Sequence, residues 1–292
     1  MTHRRAVFMM VVVTLMWSIA GVVTRHLDAA RSFEITFWRS AFTALSLLVL
    51  LPWLRGGAVL RRALLDGGPT LWLSGACWSV MFNAFMVAIS LTTVANVLVT
   101  MAIAPLLTAL VARVFLGDRL AARTWAAIVV AGVGIAWMYA REVRGADAQH
   151  LLGTIVALAV PIAAAINWTL IQHSRGATDT DLLPAVLIGA LISAAAMLPL
   201  ALPFTASAHD LRLLALLGLL QLAIPCLMSV AAGRFLSAPE AALLALLEVV
   251  FGVAWAWLGA AETPSVHVLG GGALVLMALA GNEALALRRT VR

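Results

Sequence analysis

Glu248 is the residue whose setting most restricts its chemistry. It stands near the middle of the apolar stretch Ala241–Ala260, with Leu and Val on either side. A charge at the centre of a membrane span costs roughly 2.5–3.5 kcal/mol, so an acid there needs a reason. A carboxylate in that place can take up a proton or pair with a substrate ammonium, and Glu248 is the candidate for proton coupling. The competing role is a structural hydrogen bond to an adjacent helix. Arg39, about one turn inside the stretch Ile35–Leu54, offers a planar fork that suits a substrate carboxylate. A structural Arg at that place snorkels to the interface or pairs with Glu34 or Asp28. Asn83 and Asn167 put amides inside two further stretches, where they line an aqueous cavity or bond between helices at about 0.6 kcal/mol each. Trp17, Trp78 and Trp168 lie deeper than Trp53, Trp72, Trp125 and Trp137, which sit near stretch ends as interfacial Trp does. A deep Trp walls a cavity, faces an ammonium group or simply packs. Trp17, Arg39, Trp78, Asn83, Asn167, Trp168 and Glu248 are the candidate substrate-binding set. No catalytic residue, metal site or cofactor is expected. His-Glu-x-x-His, Gly-x-Ser-x-Gly and Walker patterns are absent, which argues against an intramembrane enzyme and against direct use of ATP.

The elements that must position these residues fill almost the whole chain. Of 292 residues, 63 % are hydrophobic and 11 % charged, with a mean hydropathy of +1.04; a soluble domain carries about a quarter charged residues. Ten apolar stretches are readable: Ala6–Thr24, Ile35–Leu54, Gly68–Ser90, Val94–Leu116, Thr124–Ala140, and, after the polar segment Arg141–His150, Leu151–Gln172, Leu182–Pro203, Leu211–Leu236, Ala241–Ala260 and Val266–Ala286. Roughly 17–25 apolar residues cross a ~30 Å hydrocarbon core as a helix. Only helices or closed barrels satisfy their backbone in lipid, and the alternation of a barrel is missing. The expectation is an all-α membrane protein of ten transmembrane helices. MTHRR and the apolar run after it resemble the start of a signal peptide, but no cleavage site stands out, so this segment reads as the first helix.

All nineteen basic residues are Arg. With ten spans, thirteen of them fall on the side of the termini, five (Arg25, Arg31, Arg141, Arg144 and Arg212) on the other, and Arg39 lies within a span. The positive-inside bias then places both termini in the cytoplasm of a bacterial inner membrane. Scattered over helix ends, these charges suit anionic lipid heads and not nucleic acid. Cys77 and Cys226 each lie inside an apolar stretch and read as small hydrophobes.

Residues 93–118 and 237–262 align without gaps. Both open with a small polar residue and close with an acid; Pro105 falls opposite Val249 and Asp118 opposite Glu262, the two acids reading as matched corner residues. If the unit is five helices, residues 1–145 and 146–292, the second copy enters from the opposite side and the halves are inverted repeats. In secondary transporters such halves hold the substrate near the midplane between them. Pro105, Pro161 and Pro225 are expected to interrupt their helices. Gly132, Gly134 and Gly270–Gly272 allow close helix approach.

On these residues the chain resembles the EamA family of the drug/metabolite transporter superfamily. The resemblance rests on Glu248-Val249, on Leu258–Ser265 and on Leu269–Leu274 in the second half. In the first half it rests on Trp17-Ser18, on Phe37–Ser40, on Ala104-Pro105 and on Leu116–Asp118. Val249 stands where the family has Pro, which argues against a kink in the ninth helix, and Ala261 replaces the Gly before Glu262. The resemblance implies a ten-helix carrier with a central cavity. It implies export of amino acids or related small amphipathic metabolites, by alternating access as one half rocks against the other, with protons as a candidate coupling ion. The rival within transport is a proton-coupled multidrug exporter, using Trp17, Trp78, Trp168 and Glu248 as an aromatic cavity with one acid. A channel is disfavoured because no filter sequence is visible.

Overall fold

The computed structural model describes residues 1–24, 26–117, 120–139, 148–174, 181–260 and 265–290. Ten apolar helices among them follow the ten stretches in order. They are α1 (His3–Trp17 and Ala20–Thr24), α2 (Ser32–Arg55), α3 (Pro69–Leu91), α4 (Val94–Met101 and Ala104–Leu116), α5 (Ala122–Tyr139), α6 (Ala148–His173), α7 (Leu183–Ala201), α8 (Ala208–Gly233), α9 (Ala238–Ala245 and Leu247–Ala260) and α10 (Val266–Thr290). Eight are long and apolar enough to cross a membrane; the apolar parts of α5 and α10, Ala122–Met138 and Val266–Asn282, are shorter. A short amphipathic helix, Gly57–Asp66, joins α2 to α3. With ten crossings, both ends lie on one face, termed the terminal face; the other is the distal face. Asp118 and Glu262, the expected corner pair, lie outside the described residues.

Local chemistry sets the helix starts. Pro69 and Pro184 occupy the first turns of α3 and α7, where a missing N–H costs nothing. Ser207 and Asp210 form a capping box on α8, and Ser237 and Glu240 one on α9. These caps start α8 and α9 three residues before the apolar stretches that mark them. Glu240 thus serves the helix start, as its place after Pro239 suggests. It also meets His3 at 3.2 Å.

The helix interruptions differ from expectation. α6 runs unbroken through Pro161, which is buried. Pro225 opens an α-helical segment that follows a π-helical stretch, Leu217–Ala223, so the widened turn absorbs the donor that Pro225 lacks. α4 breaks at Ala102–Ile103, just before Pro105. α9 breaks at Leu246 although Val249 occupies the Pro position. Under the alignment of 93 onto 237, Leu246 is the counterpart of Ala102. Both breaks are single tight turns: Ala102 N–H donates to the Val99 carbonyl at 3.2 Å, and Leu246 N–H to the Leu243 carbonyl at 3.2 Å. The geometry therefore belongs to the repeat and not to the proline.

The repeats exchange helices. α1 packs along α8 and α9, and α2 against α7 and α8. Correspondingly, α6 packs on α3 and α4, and α7 on α3. α5 and α10 pair with each other. The halves are units of sequence and not separately packed bodies, so the expected rocking of one five-helix half against the other does not match the packing. The α5–α10 crossing depends on Gly134 and Gly271: a Cβ on either would overlap the other's carbonyl oxygen. Gly132 and Gly272 have no such close neighbour.

On the distal face, two carboxylates staple the α1–α2 connection to the α7–α8 connection. Asp210, fully buried, accepts N–H groups from Asp28 at 2.7 Å and from Ala29, Ala30 and Ser207 at 3.1 Å. Glu34, also fully buried, accepts N–H groups from Ala206 at 2.8 Å and Thr205 at 2.9 Å, and the Thr205 hydroxyl at 2.8 Å. Each repeat supplies the acid that holds the other's loop.

Candidate transport site between the repeats

Arg39 sits two turns inside α2, because the helix begins at Ser32. It does not pair with Glu34, whose oxygens are occupied by the 205–206 backbone, nor snorkel: it is 5 % exposed, and its Nε has no hydrogen-bond partner among the described residues. Its charged partner is Glu248. The guanidinium and the carboxylate interact electrostatically, and both act on the Cys226 thiol. No direct ion pair joins them. Glu248 is partly exposed and lies in the first turn of the second half of α9. The break at Leu246 is what puts it there, where the free N–H groups of a helix start favour negative charge.

α8 completes this cluster. The Trp17 indole lies against Cys226, and Gln221 Nε2 donates to the Trp17 carbonyl at 3.2 Å. That carbonyl is available because α1 breaks after Trp17. Gln221 Oε1 is buried without a partner. Gly218 sets the spacing. A Cβ there would lie 2.6 Å from Phe42 Cβ and 3.0 Å from the Arg39 carbonyl oxygen, so only Gly lets α8 touch the α2 backbone at Arg39. The Thr43 hydroxyl spans this contact, lying 2.7 Å from the Arg39 carbonyl and 3.1 Å from that of Gly218.

Three of the seven candidates, Trp17, Arg39 and Glu248, thus meet. The other four serve elsewhere. Asn167 is 1 % exposed and accepts the Ser74 hydroxyl at 2.6 Å, a buried α6–α3 bond and not the expected cavity-facing amide. Asn83 belongs to a chain across three helices: Ser40 and Ser193 hydroxyls lie 2.8 Å apart, Ser193 donates to Asn83 Oδ1 at 2.5 Å, and Asn83 Nδ2 reaches Ser79 at 3.4 Å. Trp78 is 3 % exposed against Gly189 and Phe82. Trp168 is 5 % exposed over Gly233. Both Trp residues fill helix crossings.

Of the two α8 residues in this cluster, Cys226 reads from the sequence as a small hydrophobe and Gln221 is not among the expected site residues. A signal for Gln221 was present: it stands four residues before Pro225, the position whose carbonyl a proline leaves free. Gly218 has no such signal, since an isolated Gly in an apolar helix does not say what approaches it.

Comparison with known proteins bears on the same architecture. No curated protein matches the chain. A solved crystal structure, described only as that of a protein, is 16 % identical and superposes with a TM-score of 0.82 over 98 % of this chain and 99 % of its own, which shows a shared fold. The model of the EamA-like transporter family matches twice, over residues 4–140 and 151–282. The two matches are the two five-helix repeats that enclose the Arg39–Glu248 cluster, and the chain belongs to the EamA-like transporter family.

Proposed function

We propose that the protein is a secondary transporter of the bacterial inner membrane, with both termini cytoplasmic, that exports amino acids or related small zwitterionic metabolites. The observation that carries this reading is the Arg39–Glu248 arrangement. Opposite charges from different repeats lie within electrostatic range of one another without an ion pair, and the guanidinium Nε and Gln221 Oε1 lack partners among the described residues. A zwitterion satisfies both charges at once, its carboxylate on the Arg39 fork and its ammonium on Glu248. Trp17 supplies an apolar wall beside them. The multidrug reading loses support, because Trp78 and Trp168 are buried in helix crossings, against Gly189 and Gly233.

Flux in proteoliposomes against a panel of amino acids and lipophilic cations, with and without a pH gradient, tests this. Amino-acid flux is expected, and Arg39→Gln is expected to lower it by about tenfold or more, since a charged hydrogen bond contributes roughly 1.5–3 kcal/mol. Flux of lipophilic cations alone would overturn it. Coupling is read from Glu248→Gln, which keeps the shape and removes the titration. The variant should lose accumulation driven by the pH gradient while remaining folded. Parental gradient-driven rates in Glu248→Gln would remove Glu248 from proton coupling.

A further inference from the structure

Gln221 is held at one end of its amide only. Nε2 donates to the Trp17 carbonyl at 3.2 Å, and Oε1 is buried without a partner among the described residues. The two ends are not interchangeable. A backbone carbonyl only accepts, so it turns the NH2 toward α1 and Oε1 away from it. The polar hydrogens of the neighbouring side chains are committed. The Trp17 indole N–H is directed at the Cys226 sulfur, and the Thr43 hydroxyl serves the Arg39 and Gly218 carbonyls. An acceptor shut away from water and left open costs free energy that a bound donor would return.

The helix is shaped around this residue. Gln221 lies in the π-helical stretch Leu217–Ala223 of α8, where the Ile224 N–H donates to the Leu219 carbonyl. In an unbroken α-helix Gly218 and Cys226 would point roughly 80° apart. The widened turn brings both to Arg39: Gly218 meets its backbone, and Cys226 lies in the field of its guanidinium. Gln221 stands between them in sequence, with its amide fixed by α1. Arg39, Gln221 and Cys226 are buried, and Glu248 is the partly exposed member of the group.

We infer that Gln221 is a specificity-determining residue: its Oε1 accepts a second N–H from the substrate ammonium that Glu248 holds, so the site counts the N–H groups on the substrate nitrogen. This rests on the zwitterion reading of the Arg39–Glu248 cluster. It narrows the substrate class to zwitterions whose nitrogen carries at least two N–H groups. Arg39 and Glu248 by themselves suit a betaine as well as an amino acid, because both carry the same two charges. Gln221 separates them: a quaternary nitrogen has no N–H and leaves Oε1 buried and unpaired. A site built to hydrogen-bond a substrate group rejects the analogue that lacks it.

N-methylation supplies the test, since it removes N–H groups one at a time and keeps both charges. Leucine, whose side chain suits the Trp17 wall, is compared with N-methylleucine, N,N-dimethylleucine and leucine betaine. Binding of each to the full-length protein in detergent is measured by calorimetry. Affinity should fall by about tenfold or more between the monomethyl and dimethyl compounds, where the single N–H that remains serves Glu248 alone. Gln221→Met keeps the length and removes the acceptor. In it that step should shrink to about threefold or less, while leucine itself binds more weakly. Gln221→Glu restores an acceptor and should restore the step; it also serves where Gln221→Met does not fold. A purely structural Gln221 predicts equal weakening of all four compounds. An unchanged step in Gln221→Met, or no step in the parent, overturns the role of Gln221 alone. An amino acid other than leucine that binds in its place takes its own N-methyl series. A parent that binds no amino acid overturns the zwitterion reading, and this assignment with it.

Discussion

At the scale of the residue, this protein uses its few ionisable groups in two ways. Asp210 and Glu34 are saturated. Apart from the Ser207 N–H on Asp210 and the Trp38 indole on Glu34, the donors are backbone N–H groups and a hydroxyl from the other repeat's loop. Removing such an acceptor strands several buried donors, each costing roughly 1–3 kcal/mol. Asp210→Ala should therefore lower the unfolding midpoint of the detergent-solubilised protein by several degrees, while Glu248→Gln leaves it nearly unchanged. Equal midpoints for Asp210→Ala and the parent would show that the staple is not structural. Arg39, in contrast, is left incompletely satisfied at Nε, and an unsatisfied buried group is retained only where something else has use for it.

At the scale of the element, the informative features are a glycine contact and two breaks. Gly218 brings α8 against the α2 backbone at the residue that carries the guanidinium. Gly218→Leu should push these helices apart and reduce flux by more than its effect on stability accounts for. A flux loss no larger than that of an equally destabilising change at Gly134 would argue against a positioning role. The breaks make a different prediction. Because α9 breaks without a proline, Pro105→Ala should leave the α4 break in place. The Ala104–Leu116 half of α4 packs on the Ala238–Ala245 half of α9, with Ala109 and Ala242 buried. Cross-linking of Ala109→Cys with Ala242→Cys in that background at the parental rate is the expected result; a lost link would assign the break to Pro105.

At the scale of the whole molecule, exchange of helices between the repeats makes one body of two similar sequences. α1 buries Met10 and Val13, both fully buried, beside α8 and α9 of the other repeat, so neither repeat covers its own apolar surface. Residues 1–145 expressed alone should fail to give a protease-resistant product, and co-expression with 146–292 should restore it. Topology has its own check. Five crossings per repeat place Ala146 and the C-terminus on opposite sides, so reporter fusions at those two points should give opposite signals.

The sequence by itself determined the class, the number of helices, their order and the pairing of α4 with α9 as repeat partners. It did so because a span must be long, apolar and internally hydrogen-bonded, and those demands are local. It marked Arg39 and Glu248 for the same reason: a charge within such a span is costly wherever the helix goes. Which groups meet was decided only by tertiary structure. Asn167 and Trp168 are as deep and as polar or aromatic as Trp17, and nothing local says that the first two close helix crossings while the third lies at the cluster. The assignment of Glu34 to the 205–206 backbone, of α1 to the opposite repeat and of Gly218 to the Arg39 backbone all rest on contacts more than 150 residues apart in the chain. The break in α9 is not legible in the sequence, because Val249 removes the proline signal; packing of the two half-helices against different neighbours holds the turn without one.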